Sequence, residues 1–339
     1  MGRKLKVLSL FSGIGAYEKA LERLNIDYEL INYCEIDKYA SKSYSIIHNV
    51  SEDLNLGDIT KIDIDKLRDF DLLTHGSPCQ DFSIAGLGLG GDKDSGTRSS
   101  LMWNTVEIIK HKKPKYVIWE NVKGVLSKKH KHNFDKYISE LNELGYVNYY
   151  QILNSKYFNV PQNRERVFVV SILGEHNEYE FPSGVVKNNK TIMDVLEQNI
   201  QPKYYLSQEF IKKFVPNSNF ERLHTILDKS PIEVGYIKKS KYGKKHQSNT
   251  VYDANNLCGA LFAQEYKSPR MFMIKTEEDL KIRRLTPKEC WRLMGFDDLD
   301  VEKCIDANIS NTQLYKQAGN SIVVNVLEHI FRNLLLNNI

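Results

Sequence analysis

The chain has 339 residues, which exceeds one ordinary domain, so two domains or one domain with a large insertion are expected. Hydrophobic residues make up 41%, charged residues 27% and aromatics 11%, enough for a sizeable core and too rich for global disorder. A mean hydropathy of −0.45, with no apolar run near the ~18 residues a spanning helix needs, excludes a helical membrane protein, and a net charge of +4 permits a polyanionic partner without requiring one.

Read in chain order, Leu5–Leu10 is a strand, followed by a helix from about Gly15 to Leu24. Tyr28–Cys34 is a second strand and Lys38–Ile47 a second helix; Leu72–His75 is a short strand ending at Gly76-Ser77-Pro78. Leu101–Lys112 is helical, Tyr116–Trp119 a strand and Phe134–Leu144 a helix, and Tyr149–Leu153 with Val167–Ile172 read as a final antiparallel pair. Short apolar runs alternating with helical patterns predict an α/β fold, a doubly wound and mostly parallel sheet. After Leu173 periodicity weakens as far as about Lys281, and the segment is crowded with lysine, asparagine and tyrosine. Regular patterning returns at Thr286–Met294, whose Thr286-Pro287-x-Glu289 opening predicts a capping box with proline at the first helical position. A last helix spans about Ser321–Leu335. The expected layout is one domain over 1–185 and 311–339 with a smaller, irregular domain and hinge, 186–310, inserted in it.

Arg3, Lys4 and Lys6 ahead of an apolar run imitate a secretory signal, but Ser9, Ser12, Gly13 and Gly15 interrupt the run and no cleavage pattern follows. Met1-Gly2 suggests myristoylation, yet Lys6 stands where Ser or Thr is needed. A cytoplasmic location is expected. The five cysteines, Cys34, Cys79, Cys258, Cys290 and Cys304, form no C-x-x-C, so neither a disulfide framework nor a metal site is expected.

Phe11-Ser12-Gly13-Ile14-Gly15 falls where the first strand turns into the first helix, a place where glycine lets backbone approach a ligand. Two glycines alone fit a tight turn as well as a nucleotide site. Glu35, at the end of the second strand, and Asp58, at the next strand-end position, favour an adenosine-containing cofactor, the first gripping ribose hydroxyls and the second the adenine amine. A dinucleotide fingerprint needs a third glycine where this chain has Glu18, an awkward neighbour for a pyrophosphate and a tolerable one for S-adenosylmethionine, which has no phosphate.

Pro78-Cys79-Gln80 lies at the carboxyl end of a strand, where open α/β sheets place ligands. Glu120-Asn121-Val122 brings a carboxyl group to the same edge, and Gln162-Asn163-Arg164-Glu165-Arg166 precedes another strand. On an extended segment Arg164 and Arg166 share a face, suited to a pyrimidine carbonyl, a phosphate or a carboxylate that needs orienting.

These residues carry a resemblance. In order over nearly the whole chain, the sequence resembles the C5-cytosine DNA methyltransferase family: Phe11-x-Gly13-x-Gly15 its cofactor loop, Pro78-Cys79-Gln80 its nucleophile motif, Glu120-Asn121-Val122 its acid motif and Gln162-x-Arg164-x-Arg166 its arginine motif. Arg284-Leu285-Thr286-Pro287-x-Glu289-Cys290 resembles the helix bracing its recognition domain, and Gln317-x-Gly319-Asn320-Ser321 its closing motif. The resemblance implies methyl transfer from S-adenosylmethionine to carbon-5 of a flipped cytosine in a specific duplex DNA sequence. It implies that Cys79 adds to carbon-6, that Glu120 holds ring N3 and the exocyclic amine, that Arg166 contacts the carbonyl and that Arg164 orients the nucleophile. It places the cofactor on Phe11, Ser12, Gly13, Gly15, Glu35, Ile36, Asp58, Ile59, Pro78, Asn320 and Ser321, and needs no metal. Ser83–Ser100, rich in glycine and carrying Lys93 and Arg98, is expected to close over flipped DNA.

In this family the irregular insertion selects the DNA sequence; here that is about Val186–Lys281. DNA contacts are expected from Gln80, Ser83, Arg98, Lys238, Lys239, Lys241 and Gln247, the last filling the gap left by the flipped base. Ala260-Leu261 stands where the family usually has Thr-Leu. The implied protein is a cytoplasmic, nucleoid-associated monomer, an orphan or phage methylase or one working beside a cognate restriction endonuclease. The same chemistry on RNA, as in the family's tRNA-modifying branch, is the alternative reading; a nicotinamide-dependent oxidoreductase on the same sheet leaves Cys79, Glu120 and Arg166 unexplained.

Overall fold

Buried on both faces, a strand of a parallel sheet loses the polar alternation of a surface strand, and β1 (Leu5–Leu10) does so, with Val7, Leu8, Ser9 and Leu10 fully buried. The computed structural model describes residues 3–78, 91–93, 95–184, 189–218, 230–238, 245–275 and 280–336. They divide into a first unit, Met1–Leu153 with Glu165–Ser183 and Val326–Ile339, and a second, Asn154–Arg164 with Gly184–Asn325. The sequence reading divides the chain at 186 and 310; by packing, 154–164 and 311–325 fall in the second unit.

In the first unit β1 is followed by α1 (Ala16–Arg23), β2 (Tyr28–Cys34), α2 (Lys38–His48), β3 (Leu72–His75), α3 (Met102–Lys112), β4 (Tyr116–Val122), α4 (Lys131–Glu143) and β5 (Tyr146–Asn154). After the two-residue β6 (Gln162–Asn163), which pairs in the second unit, β7 (Glu165–Leu173) returns to the sheet. The strand order is β2-β1-β3-β4-β7-β5. β1 runs parallel to both β2 and β3, β3 is parallel to β4, and β7 is antiparallel to β4. The expected last pair is adjacent, though β7 lies between β4 and β5.

Both faces of this sheet are covered. Leu8, Leu10, Leu73, Val117 and Trp119 share one apolar cluster with Met102, Val106 and Ile109 of α3 and Phe134, Tyr137 and Leu141 of α4. On the opposite side Ser9 lies beside Glu18 of α1, and Tyr17 of α1 meets Phe331 edge to face. Chain order reverses at β1: β2 lies to one side and β3 to the other. The turns after β1 and β3 therefore flank a topological switch point, where doubly wound sheets bind ligands.

The weakly periodic middle of the chain is not irregular. It forms a second sheet, order β13-β12-β10-β9-β8, from β8 (Phe214–Pro216), β9 (Glu233–Ile237), β10 (Thr250–Asp253), β12 (Met271–Lys275) and β13 (Leu280–Arg284), while β11 (Cys258–Gly259) pairs with β6. Leu206, Val234, Ile237, Val251, Met271, Met273 and Ile282 give it a core of its own. Among the described residues five further α-helices follow: α5 (Gln208–Ile211), α6 (Pro287–Arg292), α7 (Asp298–Asp306), α8 (Asn311–Asn320) and α9 (Val324–Phe331). The last is shorter than the expected Ser321–Leu335 and continues as a wider turn over Arg332–Leu336.

α6 starts as the sequence predicts. The Glu289 N–H donates to Thr286 Oγ1 at 3.2 Å, and the Thr286 N–H donates to Glu289 Oε2 at 2.8 Å, with Pro287 opening the helix. The other Glu289 oxygen receives Arg283 Nη2 at 2.5 Å and the Glu197 N–H at 2.7 Å. Arg283 and Glu289 are both fully buried, so this cap is also a buried ion pair. Losing one partner of such a pair is far more damaging than the pair is stabilising.

Candidate active site

The turn after β1 is built for close backbone approach. Phe11, Gly13 and Gly15 have φ of +53°, +57° and +81°, a left-handed region that favours glycine. A Cβ on Gly15 would lie 2.0 Å from His48 Nε2, whereas one on Gly13 would meet nothing within 4 Å. Gly15 is needed for packing under the turn, while Gly13 leaves open space above it. The Ser12 hydroxyl donates to Ser9 O at 2.8 Å and receives the Cys34 N–H at 3.2 Å, tying the turn to the end of β2.

Glu35 follows β2 with Oε2 accepting the Gly13 N–H at 2.9 Å and Oε1 accepting the Asp37 N–H at 2.7 Å. Each carboxylate oxygen has two acceptor directions, so these bonds orient Glu35 without exhausting it. Asn55 fixes the same corner. Its Oδ1 accepts the Glu35 and Gly57 N–H groups, and its Nδ2 donates to Glu35 O. Ile36 is 75% exposed, the most open large apolar side chain described. Asp58 caps the following turn, its Oδ1 accepting from the Thr60 N–H and hydroxyl at 3.0 and 2.8 Å, and those bonds lower its pKa. Ile59, expected as a cofactor contact, is packed into the apolar cluster.

A bare Gly13, an oriented carboxylate and an exposed apolar side chain on one sheet edge fit an adenosine-type ligand. Glu18 bears on it differently than expected. Its carboxyl is fully buried, and burial raises its pKa, opposed by His48 and the hydroxyls of Ser9 and Tyr44. It discriminates against a pyrophosphate only weakly, because it is not exposed.

The end of β3 is held from several sides. Trp119 Nε1 donates to Ser77 Oγ at 3.0 Å, Asn121 Nδ2 to Ser77 O at 3.3 Å, Ser99 Oγ to Pro78 O at 2.9 Å and Tyr17 Oη to His75 O at 3.2 Å. Cys79, Gln80 and Ser83 lie outside the described residues, as does half of the expected closing segment, 83–90 and 94. His75 is buried, stacks parallel to Trp119 at 5.8 Å and shares a 3.0 Å bond between Nε2 and Tyr137 Oη. Burial drives its pKa down to about 3. Below pH about 6.5 the unfolded chain therefore takes up a proton that the folded one refuses, so His75 makes stability fall as pH drops from there toward 3. His75→Gln is expected to flatten urea-unfolding stability against pH by up to about 1.4 kcal/mol per pH unit between pH 4 and 6. Parallel curves for the two proteins would place the imidazole in contact with water.

β4 continues past its expected end, through Glu120 to Val122. In the ladder Glu120 faces Phe168 and Val122 faces Arg166, which puts Glu120 and Arg166 on one face as diagonal neighbours. Arg166 Nε lies 3.0 Å from Glu120 Oε1, with both side chains largely shielded. The carboxylate thus sits between Trp119 and Asn121 on β4, the two residues that hold Ser77.

Arg164 falls just ahead of β7, in the second unit. The strand breaks between β6 and β7, so two-residue alternation does not carry across it. The Arg164 guanidinium is buried in the second unit, donating from Nη1 to Leu261 O at 2.8 Å and from Nη2 to Ser321 O at 2.8 Å and Gly319 O at 3.3 Å. It braces Leu261, of the divergent Ala260-Leu261 pair, against the end of α8. Gln162 clamps the other side of Leu261, its Oε1 accepting the Leu261 N–H at 3.0 Å. Gly319 is required there, since a Cβ would fall 2.2 Å from the Phe262 backbone. Asn320 closes α8 exposed and Ser321 follows it buried.

Lys238 is exposed just after β9, Gln247 is exposed at the start of a short turn before β10, and Arg98 is exposed ahead of α3. Lys239 and Lys241 lie outside the described residues. Ser77 and Asn121 lie inside motifs legible in the sequence, whereas Trp119 and Asn55, which fix the ends of β3 and β2, carried no signal there.

The fold and the sheet edge define an α/β enzyme with an adenosine-type cradle beside an acid–arginine pair. Residues 5–336 match the C-5 cytosine-specific DNA methylase family, and the chain belongs to it. The orphan methyltransferase M.SPBetaI of Bacillus phage SPbeta is 35% identical, the match covering 98% of each chain. The type II methyltransferase M2.ScrFI of Lactococcus lactis subsp. cremoris is 36% identical over 97% of this chain and 99% of its own. Among solved structures, the Entamoeba histolytica methyltransferase EhMeth shares the fold with a TM-score of 0.74 at 18% identity over 99% of each chain. No helix among the described residues is long and apolar enough to cross a membrane.

Proposed function

We propose that the chain methylates carbon-5 of cytosine in a specific sequence of duplex DNA, with S-adenosylmethionine as the methyl donor and Cys79 as a transient nucleophile. The observation that carries this reading is the Glu120–Arg166 pair, 3.0 Å apart at the end of β4, whose Trp119 and Asn121 hold the Ser77-Pro78 turn that leads to Cys79. When bound, S-adenosylmethionine supplies a methyl group activated by its sulfonium. Glu35 and Asp58 would hold the ribose and adenine, Ile36 would cover a ring face, and Gly13 would admit the ligand close to backbone; Phe11, Ser12, Gly15, Ile59, Pro78, Asn320 and Ser321 complete the proposed contacts.

Cytosine carbon-5 is a poor nucleophile, so the ring must be activated first. The Cys79 thiolate adds to carbon-6, forming a carbon–sulfur bond and making carbon-5 enamine-like. Glu120 hydrogen-bonds ring N3 and the amine and shares a proton with the adduct. Arg166, oriented by Glu120, meets the ring carbonyl. Loss of the carbon-5 proton after methylation expels Cys79 and restores aromaticity. Arg164 acts at one remove, as a brace for Leu261 and Ser321. The base must leave the stack to reach these groups, and the second unit, with Lys238, Lys239, Lys241 and Gln247, is the proposed reader of DNA, assisted by Gln80, Ser83 and Arg98. Curated relatives are named type II and orphan methyltransferases, which favours work as an orphan methylase or beside a restriction enzyme, in a soluble, cytoplasmic setting.

The test is methyl transfer from labelled S-adenosylmethionine to plasmid duplex, to single-stranded DNA and to tRNA, with bisulfite sequencing of the plasmid. Protected cytosines within one recurrent duplex sequence are the expected result. Label on tRNA alone would transfer the same chemistry to RNA, and label on none would remove the reading.

A further inference from the structure

Charge is distributed very unevenly in this chain. Residues 123–136 hold five lysines (Lys123, Lys128, Lys129, Lys131 and Lys136) and one acid, Asp135, a net +4 in fourteen residues. The whole chain is also +4, so the remainder is electrically balanced. The segment starts where β4 ends, directly after Glu120-Asn121-Val122, and runs through a turn over Lys123–Leu126 into the start of α4.

The sequence here sacrifices ordinary helix-start chemistry. The N-cap of α4 is His130, whose side chain makes no capping bond, and the first turn contains no acid. Lysines at a helix N-terminus oppose the macrodipole, where aspartate or glutamate would complement it. Several of these cations are already engaged: Lys123 with Glu165 at 3.1 Å, Lys131 with Asp135 at 2.6 Å, and Lys136 over the Trp103 ring at 5.0 Å. His132 meets Asp92 at 2.6 Å. Lys128 and Lys129 are exposed and form no ion pair within the described residues.

We infer that Lys128 and Lys129 form a phosphate grip on the first unit, holding the DNA backbone next to the nucleotide that enters the Glu120 pocket. The inference rests on the proposed methylation of DNA and adds to it a sequence-independent anchor. A flipped base stays attached to its strand, so a cytosine reaching Glu120 brings its flanking phosphates to the edge of the sheet. Lys128 follows Glu120 by only eight residues, just beyond the end of β4 and the turn over Lys123–Leu126. Phosphate contacts of this kind position a duplex without reading its sequence. Base selection stays with other residues.

Each phosphate contact contributes about 0.9 to the slope of log affinity against log salt on duplex DNA. Lys128→Ala combined with Lys129→Ala is therefore expected to make that slope about 1.8 units shallower on a mixed-sequence 30-base-pair duplex. A fourfold rise in KCl should then weaken the variant about 12-fold less than the parent chain. The double arginine variant should keep the parental slope, and thermal unfolding and S-adenosylmethionine binding should be unchanged in both variants. A parent chain that binds and methylates duplex DNA, with an alanine variant of identical affinity and slope, would overturn the grip and leave the methylase reading intact. A parent chain with no affinity for duplex DNA would overturn both.

Discussion

In single-turnover assays with saturating duplex DNA and S-adenosylmethionine, Glu120→Gln is expected to transfer methyl groups about 10²–10⁴ times more slowly than the parent chain, the usual range for a positioned proton-handling group. Glutamine keeps the shape of a side chain that is only 8% exposed, so β4 and its neighbours have no reason to rearrange. What it removes is the charge facing Arg166 Nε and the ability to share a proton with ring N3. DNA affinity should change by less than about threefold, since Glu120 acts on the extruded base and not on the phosphates that dominate binding. Arg166→Ala should slow the same step, and the double variant should be little slower than the worse single one, because residues in one network couple instead of adding. A parental single-turnover rate for Glu120→Gln would leave the pair a structural brace.

What was legible in the sequence follows from how locally each feature is determined. The bounds of β1, β2 and β3 match the expected ones, because short apolar runs entered from Lys4, Asp27 and Asp71 leave little choice of register. The α6 cap was equally readable, being a four-residue pattern with a four-residue mechanism. The second sheet was not. Its strands are three to five residues long, too short for alternation to stand out, and β10 pairs in parallel with β12 across a long intervening excursion. The partners of Arg164 were unreadable for a related reason. They are carbonyls of Leu261, Gly319 and Ser321, distant in sequence, while alternation speaks only of neighbours. Motif order located the candidate site, but could not reveal that Trp119 and Asn121 both reach Ser77.

Cys79→Ser is expected to reduce methylation by roughly 10⁴-fold or more, as loss of a nucleophile does elsewhere, and to abolish covalent trapping on duplex DNA containing 5-fluorocytosine. Cys34, Cys258, Cys290 and Cys304 are all buried. Burial pushes the Cys34 and Cys258 thiols up to about 12 and raises Cys290 as well, the reverse of what a thiolate nucleophile needs. Cys79 instead follows a turn whose carbonyls and hydroxyl are fixed by Trp119, Asn121 and Ser99. Serine has nearly the same volume but is far less nucleophilic at neutral pH. Fluorine at carbon-5 cannot depart as a proton, so a genuine adduct persists after methyl transfer and survives denaturing electrophoresis. The parent chain should show this shifted species only with the methyl donor present, and Cys79→Ser should show none while still binding the donor. An undiminished adduct in Cys79→Ser would require another nucleophile and would undo the proposed mechanism at its first step.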